Sequence, residues 1–269
     1  MAGLTIATWN INSVRLRAPQ VARFAAQARP DVICLQEIKC QEDQFPYKAF
    51  KEMGYAHAHV TGQKGMHGVA IVSRAPLEPL PSQGLCPKEE ARHQRARVDG
   101  VEIENYYIPA GGDEPDPAVN PRFRHKLDFL DAFKTYLEGR AADGGERVLV
   151  GDLNIAPYET DVWSHKQLLK VVSHTPVETE ALEAARQAGA MRDAVRTLIP
   201  EPEKVFTWWS YRNRDWRKSN RGRRLDHVWT SPGLDGALKA AGREAVRVWD
   251  HARDWEKPSD HAPVTLRLE

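Results

Sequence analysis

The stretch RVLVGDLNIAP, residues 147–157, decides how the chain is read. Val148, Leu149 and Val150 form an apolar run suited to a buried strand, and it leads directly into Gly151, Asp152 and Asn154, polar positions that a core tolerates only when they are partnered. The same pattern recurs elsewhere. IATWNIN ends at Trp9, Asn10 and Asn12, VICLQEIK ends at Gln36 and Glu37, PSDHAPV sets Asp260 and His261 before a last strand, and in RRLDHVW Asp226 interrupts an apolar run. Singly, an Asp or Asn beside a strand is usually a turn former or a helix cap, but Glu37 has no turn chemistry of its own. In open α/β sheets the side chains of several strand ends converge on one site. The five segments together therefore predict one acidic, amide-lined cleft.

Working outward, β-branched runs predict strands at 4–9, 31–36, 68–73, 93–98, 101–108, 147–151, 224–230, 245–250 and 262–268. Between them, helical spacing predicts helices over 17–28, 121–138 and 179–189; in the second, Phe123, Leu127, Leu130, Phe133 and Leu137 share a face. Interleaved helices and strands favour α/β layers. The pair 93–98 and 101–108, joined around Asp99-Gly100, predicts a hairpin, so the sheets are mixed with helices outside. Residues 111–121 and 256–260 read as surface loops, and no linker divides residues 1–269, which predicts a single domain.

The 38 Lys and Arg nearly cancel the 37 Asp and Glu, and a formal net charge of +1 gives no whole-molecule field for a polyanion. Nucleic-acid binding must then come from a local patch. Cys34, Cys40 and Cys86 are odd in number and lack paired CxxC spacing, so they read as reduced structural thiols with no disulfide or zinc role. Neither a signal peptide nor a membrane span is legible, and a cytoplasmic location is expected. The chain has no nucleophile elbow, phosphate loop, dinucleotide fingerprint or zinc helix. Oxygen donors with few thiols or imidazoles suit Mg²⁺, or Mn²⁺ in its place, ions that neutralise phosphoryl charge in phosphodiester hydrolysis.

Five motifs in order, PDVICLQEIK, GQKGMHGVAIVS, GDLNIAP, NRGRRLDHVW and KPSDHAPV, resemble the exonuclease III family of abasic-site endonucleases, within the endonuclease/exonuclease/phosphatase superfamily. The resemblance implies an α/β fold of four layers, two mixed β-sheets packed face to face with helices on the outside. It also implies Glu37 as the principal Mg²⁺ ligand with Asn10 and Asp260 in support, and Asp152 as the acid that orients and deprotonates water. Asn154 would contact phosphate or that water, Tyr107 the scissile phosphate, and His261 a phosphate oxygen, with Asp226 behind it fixing the tautomer. Ala110 departs from the family, which usually has Asn or Gln there; RDAVRTL (192–198) and Trp229 also depart.

Substrate class is read from TWWSYRNRDWRKSNRGRR (207–224). It interleaves Arg212, Arg214, Arg217, Lys218, Arg221, Arg223 and Arg224 with Trp208, Trp209, Tyr211 and Trp216, offset only by Asp215. Cations for phosphates and aromatics for bases are the footprint of a nucleic-acid binder. By the resemblance, Trp208 packs in the pocket that receives an abasic sugar. Arg122, Arg124 and Lys126 in PRFRHK, and Arg95, are further expected DNA contacts. The expected activity is hydrolysis 5′ to abasic sites in double-stranded DNA, with action on 3′ termini, by a monomer. A mainly exonucleolytic enzyme and a non-catalytic nucleic-acid-binding regulator are the alternatives.

Overall fold

The computed structural model describes residues 3–213 and 215–269; Arg214, one of the expected phosphate contacts, lies outside the described residues. The fourteen strands are β1 (Leu4–Asn10), β2 (Val32–Gln36), β3 (His57–Thr61), β4 (Val69–Ser73), β5 (Leu77–Leu80), β6 (His93–Val98), β7 (Val101–Tyr107), β8 (Arg147–Asp152), β9 (Arg192–Asp193), β10 (Trp208–Trp209), β11 (Gly222–Arg223), β12 (Asp226–Thr230), β13 (Val246–Val248) and β14 (Val264–Leu268). One sheet runs β13-β14-β1-β2-β4-β3 and the other β5-β6-β7-β8-β12-β9, while β10 and β11 form a separate ribbon. Both large sheets are mixed: β1 is parallel to β2, β7 is parallel to β8, and the other pairs are antiparallel.

Alternation explains the layering, since successive side chains of a strand point to opposite faces. Ile6, Val32, Cys34 and Ile71 of the first sheet meet Val101, Ile103, Val148, Val150 and Val228 of the second in a core between the sheets. The residues between them face outward. Trp9, Ile33, Leu35 and Val72 pack against Val21 and Phe24 of the helix Val14–Ala28 and Phe50 of the helix Tyr47–Glu52. On the other side Tyr106, Leu149 and Trp229 pack against Phe129, Leu130, Phe133 and Leu137 of the helix Pro121–Gly139, and Leu182 of the helix Pro176–Ala188. The result is the four-layered α/β sandwich that the resemblance implies. Each fully buried Leu or Phe contributes about 1.5–3 kcal/mol before entropy is counted.

Along the inner faces the residues change character in step. Ile6 gives way to Thr8 and Asn10, Val32 and Cys34 to Gln36, Ile103 to Asn105 and Tyr107, and Val150 to Asp152, every one of them buried. Register brings these ends together: Asn10 pairs with Gln36, Tyr107 with Asp152, and Asp152 with Asp226. Gly151 is required at this end, because at φ 145° a Cβ would lie 1.9 Å from the Tyr106 carbonyl oxygen on the neighbouring strand.

Two expectations from the sequence change here. The edge strands β3 and β5 were not legible in it, being half-exposed with few apolar residues. Arg224, counted among the patch cations, is fully buried: its Nε donates to Asp161 Oδ1 at 2.7 Å, and one terminal nitrogen donates to Asp161 Oδ2 at 2.8 Å and Asp193 Oδ2 at 2.9 Å. Arg196, from RDAVRTL, completes the ion pair with Asp161. Removing one partner of such a pair leaves buried charge uncompensated. Arg224→Ala should therefore lower unfolding free energy by about 3–5 kcal/mol in urea denaturation; a loss indistinguishable from zero would show that the network does not hold the fold.

Candidate active site

The polar strand ends form one connected array. Asn10, at the end of β1, donates from Nδ2 to Glu37 Oε1 at 2.9 Å and to Asp152 Oδ2 at 2.8 Å, bridging the two sheets. Its Oδ1 accepts the Asn12 backbone N–H. The Tyr107 hydroxyl donates to Glu37 Oε1 at 2.9 Å, and Lys39 Nζ sits 2.9 Å from Glu37 Oε2. Asn154 Nδ2 donates to Asp152 Oδ2 at 3.1 Å and to the Ile108 carbonyl at 2.9 Å. His261 Nδ1 lies 2.8 Å from Asp226 Oδ2, while its Nε2 faces Asp152 Oδ2 at 3.7 Å. Glu37 and Asn154 both hold left-handed backbones, φ 51° and 54°. Outside glycine such conformations cost roughly 1–3 kcal/mol and cluster at functional sites.

Protonation follows from these contacts. Burial would raise the Glu37 carboxyl, but Lys39 and the Asn10 amide hold it below the usual range, so it is a carboxylate. Asp152 is pushed up to about 7 by burial, with Asp226 adding to the rise against the opposing pull of His261. Burial works against an imidazolium at His261, yet Asp226 and then Asp152 raise it to about 10. The site thus presents an acid poised near neutrality beside a cationic donor fixed by a carboxylate.

Glu37, Asp152, Asn154, Asp260 and His261 line a single cavity of about 520 Å³. Its donors suit a hard cation: four carboxylates, Glu37, Asp113, Asp152 and Asp260, line it, and an ammonium already rests against Glu37. Asn10 turns its NH₂ to Glu37, and so positions that carboxylate without offering it an oxygen. Asp260 accepts from Trp208 Nε1 at 3.0 Å and Asn12 Nδ2 at 3.2 Å. Asp152, Asp226 and His261 offer ligand atoms within 4.8 Å of one another, but there the Asp226–His261 hydrogen bond already uses the imidazole.

The expected DNA contacts divide. Trp208, Arg212 and Arg221 line the cavity, as do Arg223, Trp163, Val172, Ser173 and Leu225. Tyr211, absent from the lining, is half-exposed, with its hydroxyl donating to the Pro258 carbonyl. Arg122 and Arg124 are exposed at the start of the helix Pro121–Gly139, and Lys218 is exposed on the helix Trp216–Ser219. Arg217 stacks on Trp216 and is ion-paired with Asp254 and Asp250. Lys126 is corrected: helical spacing turns it inward with Phe123, fully buried, where Nζ meets Glu178 Oε1 at 2.5 Å and donates to the Asn154 carbonyl at 2.8 Å. It braces the site from behind and cannot reach DNA. Arg95 is also corrected, since it is held by Glu102 at 2.7 Å and the Pro81 carbonyl on β6, away from the cavity lining.

Sequence reading passed over Lys39, Trp163 and Ser173, and did not separate Arg223 from its neighbours. Arg223 donates to the Val172 carbonyl and Ser173 Oγ and lies 5.3 Å from the Trp208 ring. Only the position of Lys39, two residues after Glu37, was a signal.

In the metal-free protein His261 should remain an imidazolium through neutral pH and titrate at about 10 by NMR. Asp226→Asn, which removes the attraction that favours the charged form, should lower that midpoint by about 1–3 pH units. A wild-type midpoint near the ordinary 6.5 would contradict the geometry.

Comparison with known proteins agrees with this arrangement. Residues 7–261 match the endonuclease/exonuclease/phosphatase family. Exodeoxyribonuclease III of Haemophilus influenzae is 30% identical over 270 residues, covering 96% of this chain and 97% of that protein. The solved AP endonuclease of Archaeoglobus fulgidus superposes with a TM-score of 0.88 at 30% identity, covering 99% of each chain. A 3′ phosphatase from Neisseria, bound to product DNA hairpin, superposes with a TM-score of 0.85 at 32% identity, again covering 99% of each. The chain belongs to the endonuclease/exonuclease/phosphatase family, in its exonuclease III branch of hydrolytic nucleases.

Proposed function

We propose that the protein is a Mg²⁺-dependent DNA repair nuclease that hydrolyses the phosphodiester 5′ to an abasic site in duplex DNA, leaving a 3′-hydroxyl. In this reading it also acts on 3′ termini, as a 3′-phosphodiesterase and 3′-to-5′ exonuclease, and works as a cytoplasmic monomer. Among the described residues no helix is long and apolar enough to cross a membrane. The observation that carries the proposal is one cavity holding the Asp152–His261 pair and Glu37 beside an apolar wall of Trp163, Val172, Trp208 and Leu225, with Arg212, Arg221 and Arg223 around it.

Mg²⁺, or Mn²⁺ in its place, held by Glu37 with Asp260 in support and with Asn10 positioning the Glu37 carboxylate, would neutralise charge on the phosphoryl oxygens and the departing alkoxide. The chain's own groups supply the remainder. Asp152, with its pKa near 7, takes a proton from the attacking water while the Asn154 and Asn10 side-chain amides fix its Oδ2 and the Asn154 backbone N–H its Oδ1. His261 donates from Nε2 to a phosphate oxygen, its Nδ1 anchored on Asp226. The Tyr107 hydroxyl gives its one hydrogen to Glu37, and becomes a second donor to the phosphate when that hydrogen bond is exchanged. The arginines position the backbone, and a sugar without a base swings out at reduced stacking cost to lie against Trp208 and Trp163.

A labelled duplex with one abasic analogue, incubated with Mg²⁺ or with chelator, tests this. Metal-dependent nicking at the lesion is expected. Resection from ends without nicking would favour the exonucleolytic alternative, and retention without cleavage the regulator. Glu37→Ala and Asp152→Ala should each lower turnover by ~10²–10⁴-fold with circular dichroism unchanged; near-normal rates would remove them from the site. Arg221→Gln should reduce the slope of log affinity against log salt by about one ion. An unchanged slope would mean that Arg221 does not touch phosphate.

A further inference from the structure

A second group of metal-ligating side chains lies outside the cleft. The connection between β5 and β6 carries Cys86 and Glu90, and the helix Pro121–Gly139 presents His125 to them. Cys86 Sγ lies 3.2 Å from His125 Nε2 and 3.6 Å from Glu90 Oε2, and one ligand atom of each lies within 4.8 Å of the other two. His67 Nε2 approaches the other Glu90 oxygen at 3.6 Å.

The Cys86–Glu90 separation is that of two ligands on one zinc ion, and the Cys86–His125 contact is shorter and would open on binding. Zinc bonds of about 2.3 Å to sulfur and about 2.0–2.1 Å to nitrogen or oxygen, set tetrahedrally, put ligand atoms roughly 3.3–3.6 Å apart. A thiol–imidazole hydrogen bond accounts for the Cys86–His125 contact alone; the Glu90 carboxylate adds a third ligating group within 4.8 Å of both. The donor set also differs in kind from the cleft. One sulfur, one imidazole and one carboxylate suit a borderline-soft ion, whereas the all-oxygen carboxylates around Glu37 suit a hard one. A thiolate and a carboxylate together balance a divalent charge. Arg92 donates from Nε to Glu90 Oε2 at 2.6 Å, the kind of outer contact that orients a ligating carboxylate. Cys86 and Glu90 border a cavity of about 660 Å³ open to solvent, which supplies an entry path.

We propose that Cys86, Glu90 and His125, with water at the fourth position, form a Zn²⁺ site that clasps the β5–β6 connection to the start of the long helix. The site uses none of the nuclease centre's ligands but adjoins it, since His67 and Arg92, both held by Glu90, pack against the Tyr107 ring. On binding, Cys86 releases its thiol proton to solvent and the sulfur bonds the ion as thiolate, so affinity rises with pH.

Full-length protein, stripped with chelator and dialysed, would be titrated with Zn²⁺ against a chromophoric chelator in excess Mg²⁺, and separately with Co²⁺ as a spectroscopic probe. One Zn²⁺ per chain should bind despite the Mg²⁺. Co²⁺ should give intense visible bands and a near-ultraviolet sulfur charge-transfer band, which an oxygen-ligated ion in the cleft cannot produce. Cys86→Ser should abolish that charge-transfer band, and it and His125→Gln should each weaken Zn²⁺ by roughly tenfold or more, while Cys40→Ser changes neither. A Co²⁺ complex of the wild-type protein without the sulfur band would overturn the proposal, whether or not the variants fold. Full Zn²⁺ affinity in a folded Cys86→Ser protein would do the same.

Discussion

The Asn10 side-chain amide spans the space between two β-sheets, giving one hydrogen to Glu37 from the first sheet and one to Asp152 from the second. Nearby, Gln36 Nε2 donates to Asn105 Oδ1 at 2.7 Å, and Asn105 Nδ2 donates back to the Leu35 and Ala70 carbonyls. The inter-sheet layer is therefore apolar along most of its length and hydrogen-bonded at one end. Buried polar groups of this kind are costly unless partnered, and here most are, Gln36 Oε1 and Asp226 Oδ1 being exceptions. That requirement fixes the register of both sheets and, with it, the place of every catalytic candidate.

Burial at the polar end acts oppositely on neighbours. It raises Asp152 and opposes the charge on His261, and only the carboxylates beside the histidine reverse the second effect. Tyr107, buried and facing Glu37 and Asp152, is held neutral well above its ordinary range and can serve as a donor. Charge is thus allotted by position: an anion at Glu37 near the cavity, a cation at His261, and a shared proton equilibrium at Asp152. The left-handed backbones of Glu37 and Asn154 are the local cost of pointing these side chains at one space.

Much of this arrangement was legible in the sequence, because alternation of apolar residues followed by a polar strand end is a period-two signal that survives without an alignment. Asn10, Glu37, Asp152, Asp226 and His261 were found that way, and the structure brings them together. The legibility stopped where charge was counted without direction. Lys126, Arg95 and Arg224 look like surface cations in a linear reading, yet each answers a buried acid: Lys126 and Arg224 reach Glu178 and Asp161 with Asp193 far away in sequence, and Arg95 reaches Glu102 across the β6–β7 hairpin. Edge strands β3 and β5 were missed because one exposed face leaves little hydrophobic pattern. The Cys86 cluster was invisible for a related reason, since its ligands come from a loop and a helix and share no short spacing.

The central claim is that carboxylates delivered by two separate sheets form one cation-binding pocket. Anomalous diffraction from a crystal soaked in Mn²⁺ tests it most directly. The strongest peak should lie in the cavity within bonding distance of the Glu37 carboxylate, beside Asp152, Asp260 and His261. A Mn²⁺ position outside that cavity, with Glu37 uncoordinated, would contradict the account.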